Sequence, residues 1–316
     1  MILVYIFFLI LNLIKTKNVA FMGASVTQQN PGYVSEFRML NPSWNVTQYD
    51  VGLMFVNVCK LDFILESKPE ILFIDFSLHG NGTELIQIIE TLVYRLAKEN
   101  VTPVFIHFPR TDNVKLNVIK YIDNLSEKLN FSVFDLRKLI SKAELENILL
   151  RDFCHTNLAG AKRYAFEINS LLQKETLKKP IDFEIPDKSL AYLKHYPVNS
   201  QIFSNITFSI NGRIFGIEHK IGPYSNYINM VINNNLSRKR LLWDSNCFYE
   251  RPVMIQDYFL QKQIIGSLRI DILNENFNRT NCRRNVSWKW EDFTPVFNLI
   301  EVCYSGSLEL VKIDQI

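Results

Sequence analysis

The sequence has no Cys-X-X-Cys pair, and its five cysteines, Cys59, Cys154, Cys247, Cys282 and Cys303, stand singly and are odd in number. That spacing argues against a cysteine-based zinc centre, so no metal is expected. A disulfide among the last three fits an exported chain, and buried free thiols fit any other location. Charge of one sign is also scarce. The 35 Lys and Arg nearly balance 32 Asp and Glu, leaving +3, too little to argue for a nucleic-acid partner. The two basic clusters, Ser237-Arg238-Lys239-Arg240 and Cys282-Arg283-Arg284, read as solvated surface. Neither a phosphate loop nor a dinucleotide fingerprint occurs, so no cofactor is expected. There is no internal repeat and no low-complexity segment. The apolar run Met1 to Ile14 falls short of the ~20 residues of a membrane span. Its lysines, Lys15 and Lys17, follow it, and no small-residue cleavage site is evident. It reads as a signal or anchor, as a buried extension, or as the product of a mis-assigned start.

What is present is an ordinary globular composition, 47% hydrophobic and 21% charged, over a length that suits two domains. From residue 18 onward, short apolar runs alternate with helical periods. The strand candidates are Val19–Met22, Trp44–Tyr49, Ile71–Phe76, Pro103–Phe108 and Ser132–Leu136. The helix candidates are Tyr33–Leu40, Met54–Glu66, Glu84–Glu99, Val114–Leu129 and Leu158–Leu172. Continuous apolar strands alternating with helices predict a five-stranded parallel, doubly wound, flavodoxin-like sheet with helices on both faces. After residue 200 the helical period gives way to short alternating runs between Asn- and Gly-bearing turns. They begin with Ile206–Ile210 and Ile214–Glu218 and close with Leu299–Cys303 and Leu308–Ile313. This predicts a smaller all-β sandwich. The expected organisation is an apolar segment over 1–17, an α/β domain over 18–175, a linker over 176–199 and a β-sandwich over 200–316.

In a parallel sheet of this kind, ligands bind beyond the carboxyl ends of the strands. Ser25 follows the first strand on a strand-to-helix turn, where a hydroxyl can face a cleft and backbone N–H groups are free. Gly52, residues 77–81 and His107 follow or end later strands and gather at the same edge. Asp152 and His155 lie three residues apart at the approach to the last helix, so they can share one side of a turn. Serine, imidazole and carboxylate are the three parts of a nucleophilic relay. His107 and Arg110 end the fourth strand as candidate substrate contacts. Trp243-Asp244, Tyr249-Glu250-Arg251, Trp288 and Trp290 mix aromatic and polar groups in a way that suits sugar rings, or else a sandwich core and rim.

These blocks together resemble the SGNH, or GDSL-type, hydrolases over about residues 18–173. Gly23-Ala24-Ser25-Val26-Thr27 is similar to the block that carries the nucleophile, and Gly52 stands where the second-block glycine belongs. Asp152-Phe153-Cys154-His155, followed by Asn157 and Gly160, is similar to the block that carries the acid and base. The resemblance implies Ser25, Asp152 and His155 as the catalytic residues. It also implies an oxyanion hole formed by the N–H groups of Ser25 and Gly52 with His79 or Asn81. The sequence departs from the family at Ala24, where the family has Asp, and in the third block, where His79 takes the Asn position and Asn81 follows.

The resemblance implies a serine esterase or O-acyltransferase acting on small acyl esters, with acetyl groups of a glycan as the expected substrate. The two departures motivate an alternative, a catalytically impaired glycan-binding or scaffold protein. The apolar segment 1–14 motivates a third, a membrane-associated lipid esterase. Nine asparagines (Asn45, Asn81, Asn100, Asn124, Asn130, Asn205, Asn235, Asn278 and Asn285) open Asn-X-Ser/Thr sequons, against about three expected by chance. The excess favours a secreted or anchored location over the cytoplasm. Asn81 argues the other way, because a glycan there would obstruct the expected site.

Overall fold

The computed structural model describes residues 16–50, 58–75, 84–112, 117–185, 188, 193–243, 247, 250–255, 260, 262–275 and 294–315. The apolar segment 1–14, Gly52, His79, Asn81, Asp244, Tyr249, Cys282, Trp288 and Trp290 lie outside the described residues. The chain divides into two compact units, Met1–Ala191 and Tyr192–Ile316.

The first unit holds β1 (Asn18–Gly23), β2 (Asn45–Asp50), β3 (Ile71–Asp75), β4 (Thr102–His107) and β5 (Ser132–Asp135). All pair in parallel, in the order β2-β1-β3-β4-β5. This is the flavodoxin-like order, with its switch point beside β1. Burial explains the sequence pattern. β3 and β4 are buried at every position and β1 from Val19 to Gly23, because internal strands covered on both faces must be apolar throughout. β5, at one edge, alternates buried with half-buried residues. β2, at the other, mixes buried Val46 with exposed Asn45 and Gln48.

Between and after the strands lie α1 (Ser25–Gln28), α2 (Tyr33–Leu40), α3 (Leu61–Glu66), α4 (Glu84–Lys98), α5 (Asn117–Leu129) and α6 (Leu158–Lys174). Tyr33, Val34 and Phe37 of α2 and Tyr164, Ala165 and Ile168 of α6 share one buried cluster with Phe21, Phe73, Val104 and Ile106 of the sheet. Ring contacts order this layer: Phe21 stacks on Phe73 at 4.7 Å and Phe108 on Tyr164 at 4.9 Å. Each fully buried ring of this kind contributes roughly 2–3 kcal/mol of apolar transfer. Strand residues of opposite parity, among them Ala20, Leu72 and Phe105, are equally buried. Asparagine ends two helices: Asn100 after α4 and Asn130 after α5 adopt φ of 57° and 58°, the left-handed conformation that Asn tolerates best after Gly.

The second unit contains β6 (Lys194–Ile221), β7 (Tyr227–Ile232), β8 (Leu236–Leu241), β9 (Arg251–Ile255), β10 (Ile264–Leu273) and β11 (Phe297–Gln315). The pairs read separately in the sequence, 206–210 with 214–218 and 299–303 with 308–313, are each one long strand. Along β11 the partner number on β6 falls as its own rises, so the two run antiparallel, and Phe203 stands opposite both Phe297 and Gln315. That double pairing requires both strands to bend from one layer of a sandwich into the other. Residues 194–203, 297–304, 214–221 and β9 make one layer. Residues 305–315, 203–213, β10, β7 and β8 make the other.

The bend falls where Gly306 pairs with Gly212. A Cβ on Gly212 would lie 1.8 Å from Ser305 O, and Gly306 has a φ of +89°. Only glycine fits such a crossing, and in the sequence that signature reads as a turn. The core between the layers includes Phe203, Phe208, Ile217, Leu268, Ile270, Phe297 and Val302, with Trp243 packed against it. β8, which carries Arg238-Lys239-Arg240, is an edge strand of mostly exposed residues, the charged edge that blocks sheet-to-sheet pairing. Cys154 and Cys247 are buried and take part in no disulfide, whereas Cys59 and Cys303 each take part in one.

Candidate active site

Sheet register brings the site together. Gly23, the last residue of β1, stands beside Asp75 at the end of β3, and α1 begins two residues later with Ser25. The turn is tight: a Cβ on Gly23 would lie 2.1 Å from Thr27 Oγ1 and 2.8 Å from Asp75 Cβ. Glycine is therefore required for the strand to turn into the helix at this point. Gln48 of β2 donates from Nε2 to the Thr27 carbonyl at 2.7 Å, fixing α1 from the other side.

Asp152 and His155 come from a closed turn ahead of α6. Arg151 N–H donates to His155 O at 2.9 Å, Asn157 N–H donates to Leu149 O at 2.9 Å, and Leu150 bridges to Thr156. Asn157 caps α6 by accepting from Gly160 N–H at 3.0 Å. Within the turn, Asp152 Oδ1 accepts from the N–H groups of Cys154 (3.0 Å) and His155 (2.8 Å). Its Oδ2 lies 2.8 Å from His155 Nδ1. The other ring nitrogen, Nε2, lies 2.8 Å from Ser25 Oγ. Partial burial pushes the Asp152 carboxyl up, but the two N–H donors and the imidazole outweigh it and hold the group below its ordinary range. Asp152 therefore stays ionised at neutral pH, and a carboxylate on Nδ1 leaves Nε2 facing the serine as the proton acceptor.

Two further residues support this arrangement, and the sequence reading missed both. Gln29, four residues after Ser25, spans to the turn of Asp152 and His155. Its Nε2 donates to Thr156 O at 2.5 Å, and its Oε1 accepts from Thr156 Oγ1 at 3.3 Å. Nothing local in the sequence marks it. Asp75 ends a strand that is otherwise apolar and is 1% exposed, and an acid closing a buried run was a legible signal. Thr27 Oγ1 donates to its Oδ2 at 3.2 Å, while Oδ1 has no partner among the described residues. Burial, opposed only in part by the Thr27 hydrogen bond, pushes the Asp75 carboxyl up to about 7.

Of the other candidates, His107 is fully buried and its Nε2 lies 2.9 Å from Asp123 Oδ1 on α5. Burial lowers its proton affinity, and the ring is closed off from solvent beside the half-exposed Asp123. Arg110 is partly exposed, forked onto Asp112 by bonds of 2.6 and 2.5 Å, with its guanidinium 5.1 Å from the centre of the Phe153 ring. Gly52, His79 and Asn81, the expected oxyanion partners of Ser25, lie outside the described residues.

Ligand atoms of Asp152, Cys154 and His155 lie within 4.8 Å of one another, a set able in kind to hold a metal ion. Its members are committed elsewhere. Both ring nitrogens of His155 are engaged, and burial, then the nearby Asp152 charge, pushes the Cys154 thiol up to about 12, so it stays protonated. Among the described residues no helix is long and apolar enough to cross a membrane.

No family model matches the chain, and no curated protein matches it. Among solved structures it is similar to a two-domain esterase (CEX) active on acetylated mannans. The TM-score is 0.67 at 13% identity, over 93% of this chain and 92% of that one. That likeness extends over both units and shows a shared fold. The chain also overlaps the C-terminal catalytic domain of peptidoglycan O-acetyltransferase A (OatA) of Streptococcus pneumoniae, with a TM-score of 0.39 and 16% identity over 53% of this chain and 99% of that domain.

Proposed function

We propose that this chain is a serine esterase or O-acyltransferase of the SGNH type that acts on small acyl esters, acetyl groups of a glycan in particular. The observation that carries the reading is the unbroken run from Ser25 Oγ to His155 Nε2 at 2.8 Å and from His155 Nδ1 to Asp152 Oδ2 at 2.8 Å.

The chemistry follows from that run. Ser25 Oγ attacks the ester carbonyl as its proton passes to His155 Nε2, and Asp152 stabilises the imidazolium and holds its orientation. The tetrahedral oxyanion takes the Ser25 N–H, one of the first-turn donors of α1 that have no acceptor within the helix. Collapse expels the alcohol, which leaves with the proton from His155, and an acyl-serine remains. Water or a sugar hydroxyl then attacks that ester while His155 takes the incoming proton, and Ser25 is released with its own proton restored. The glycan half of the reading rests on the shared fold with an esterase whose own substrate is acetylated mannan.

Turnover of a chromogenic acetyl ester by the wild type and by Ser25→Ala tests the chemistry. The variant is expected to lose about 10³-fold or more in kcat. A serine-directed fluorophosphonate should label the wild type at Ser25. Equal rates for the two proteins, with no label at Ser25, would overturn the reading.

A further inference from the structure

Phe153 lies in sequence between Asp152 and His155 and is 42% exposed, whereas Phe21, Phe37, Phe73, Phe105, Phe108, Phe131 and Phe134 of this unit are buried. Its ring centre is 6.5 Å from that of His155. The backbone beneath it is fixed, since the Phe153 carbonyl accepts from Thr111 N–H at 3.0 Å. The side chain is braced by the Arg110 guanidinium at 5.1 Å, and Arg110 is itself forked onto Asp112. A flat apolar surface thus stands near the His155 ring, held from its backbone and by a neighbouring ion pair, and still open to solvent.

Resting on the esterase reading above, we infer that Phe153, backed by the Arg110–Asp112 pair, is the subsite that receives the sugar ring carrying the ester, and that the sugar is uncharged. The apolar C–H face of a pyranose ring is the complement of an exposed aromatic ring, and a rigid aromatic gains contact area at little entropic cost. The charge argument sets the class of sugar. A lone arginine beside a site selects carboxylate or phosphate, because its planar fork matches those groups. Here the fork already holds a carboxylate. Hydrogen bonding to Arg110 holds the Asp112 carboxyl below its ordinary range, so the pair stays ionised and mutually compensated at neutral pH. The Arg110 guanidinium beside Phe153 is thereby compensated and does not act as a lone cation for a uronate or a phosphorylated glycan. Leu158 and Ile148, 50% and 56% exposed, raise the competing possibility of a long acyl chain, which the same experiment separates.

The experiment compares Phe153→Ala and Phe153→Trp with the wild type on ethyl acetate, on an acetylated neutral oligosaccharide and on an acetylated uronate oligomer, with acetate release followed by pH-stat. The loss of kcat/KM in Phe153→Ala is expected to be about tenfold greater on the neutral oligosaccharide than on ethyl acetate, and to lie in KM. Phe153→Trp should retain the preference. Calorimetry on the Ser25→Ala protein supplies a reading independent of turnover, in which adding Phe153→Ala weakens binding of the neutral oligosaccharide by a similar factor. Equal losses on both esters, undiminished binding, or preference for the uronate or for longer acyl chains would each overturn the subsite. If instead the wild type and Ser25→Ala cleave every ester equally, the enzyme reading has failed, and the calorimetry still decides whether Phe153 binds sugar.

Discussion

Thr27 Oγ1 stands 3.2 Å from Asp75 Oδ2, and the same hydroxyl lies 2.9 Å from Tyr33 OH. One hydroxyl carries one proton, so when Thr27 donates to Asp75, Tyr33 must donate to Thr27. The chain Tyr33–Thr27–Asp75 therefore ties α2 to β3 through the turn that presents Ser25, two residues away. No cation joins it. Tyr164 and Cys154 are the other titratable groups that feel Asp75, and burial pushes both of them up. A lone buried carboxyl in that company is most stable neutral.

The first prediction follows from the sign of that shift. Asp75 moves from 3.8 to about 7 on folding, so the folded state binds its proton more tightly than the unfolded state. The stability this group contributes is complete below pH 4 and is lost as pH rises through about 7. Asp75→Asn keeps an oxygen for Thr27 and removes the charge. The melting temperature of the variant minus that of the wild type should therefore grow between pH 4 and pH 8, reaching on the order of several °C. A difference that is flat with pH, or that reverses, would show that Asp75 is not titrating in this range.

A second prediction concerns Gln29. Its amide makes two hydrogen bonds to Thr156, next to His155, and so links the turn of Ser25 to the turn of His155. Losing them in Gln29→Ala should cost about 1–3 kcal/mol of stability. If the link positions the relay, kcat on a small acetyl ester should fall roughly tenfold while KM stays near the wild-type value. Gln29→Glu retains the acceptor for Thr156 Oγ1 but loses the donor, and should be intermediate. A lowered melting temperature with kcat unchanged would reduce Gln29 to a structural tie.

Much of this was legible in the sequence, and the exceptions have physical causes. The five parallel strands showed because internal strands buried on both faces must be continuously apolar. That Ser25, Asp152 and His155 lie within hydrogen-bond reach of one another was expected from the residue types a nucleophilic relay needs at the ends of such elements. β8 did not show, since an exposed edge strand carrying Arg238-Lys239-Arg240 has no hydrophobic alternation. The bends of β6 and β11 did not show because Gly212 and Gly306 carry the sequence signature of a turn. His107 was read as a candidate for the cleft from its place at a strand end. Its full burial and its contact with Asp123 are tertiary facts. Gln29 was invisible because its partner lies 127 residues away. Some of the asparagines in sequons also serve the backbone: Asn100 and Asn130 end helices in the left-handed conformation.

The last prediction separates two contributions to the turn of Asp152 and His155. Gly160 lies in the first turn of α6, and a Cβ there would come 2.2 Å from Leu149 O and 2.9 Å from two carbons of Thr156. Neither the backbone oxygen nor a β-branched side chain held by Gln29 can move far, so Gly160→Ala must push the turn off the helix. Overpacking of that kind costs roughly 1–3 kcal/mol, and the displaced segment carries His155. Asn157→Ala removes the cap on the Gly160 N–H, worth about 1 kcal/mol, together with the Nδ2 donation to Ile148 O at 2.6 Å, and leaves the space unchanged. Gly160→Ala is therefore expected to lower kcat on an acetyl ester at least tenfold and to lower the melting temperature. Asn157→Ala should show a similar or smaller drop in melting temperature with kcat largely kept. Equal activity losses in the two variants would mean that helix capping, rather than close packing at Gly160, sets the distance between His155 and Ser25.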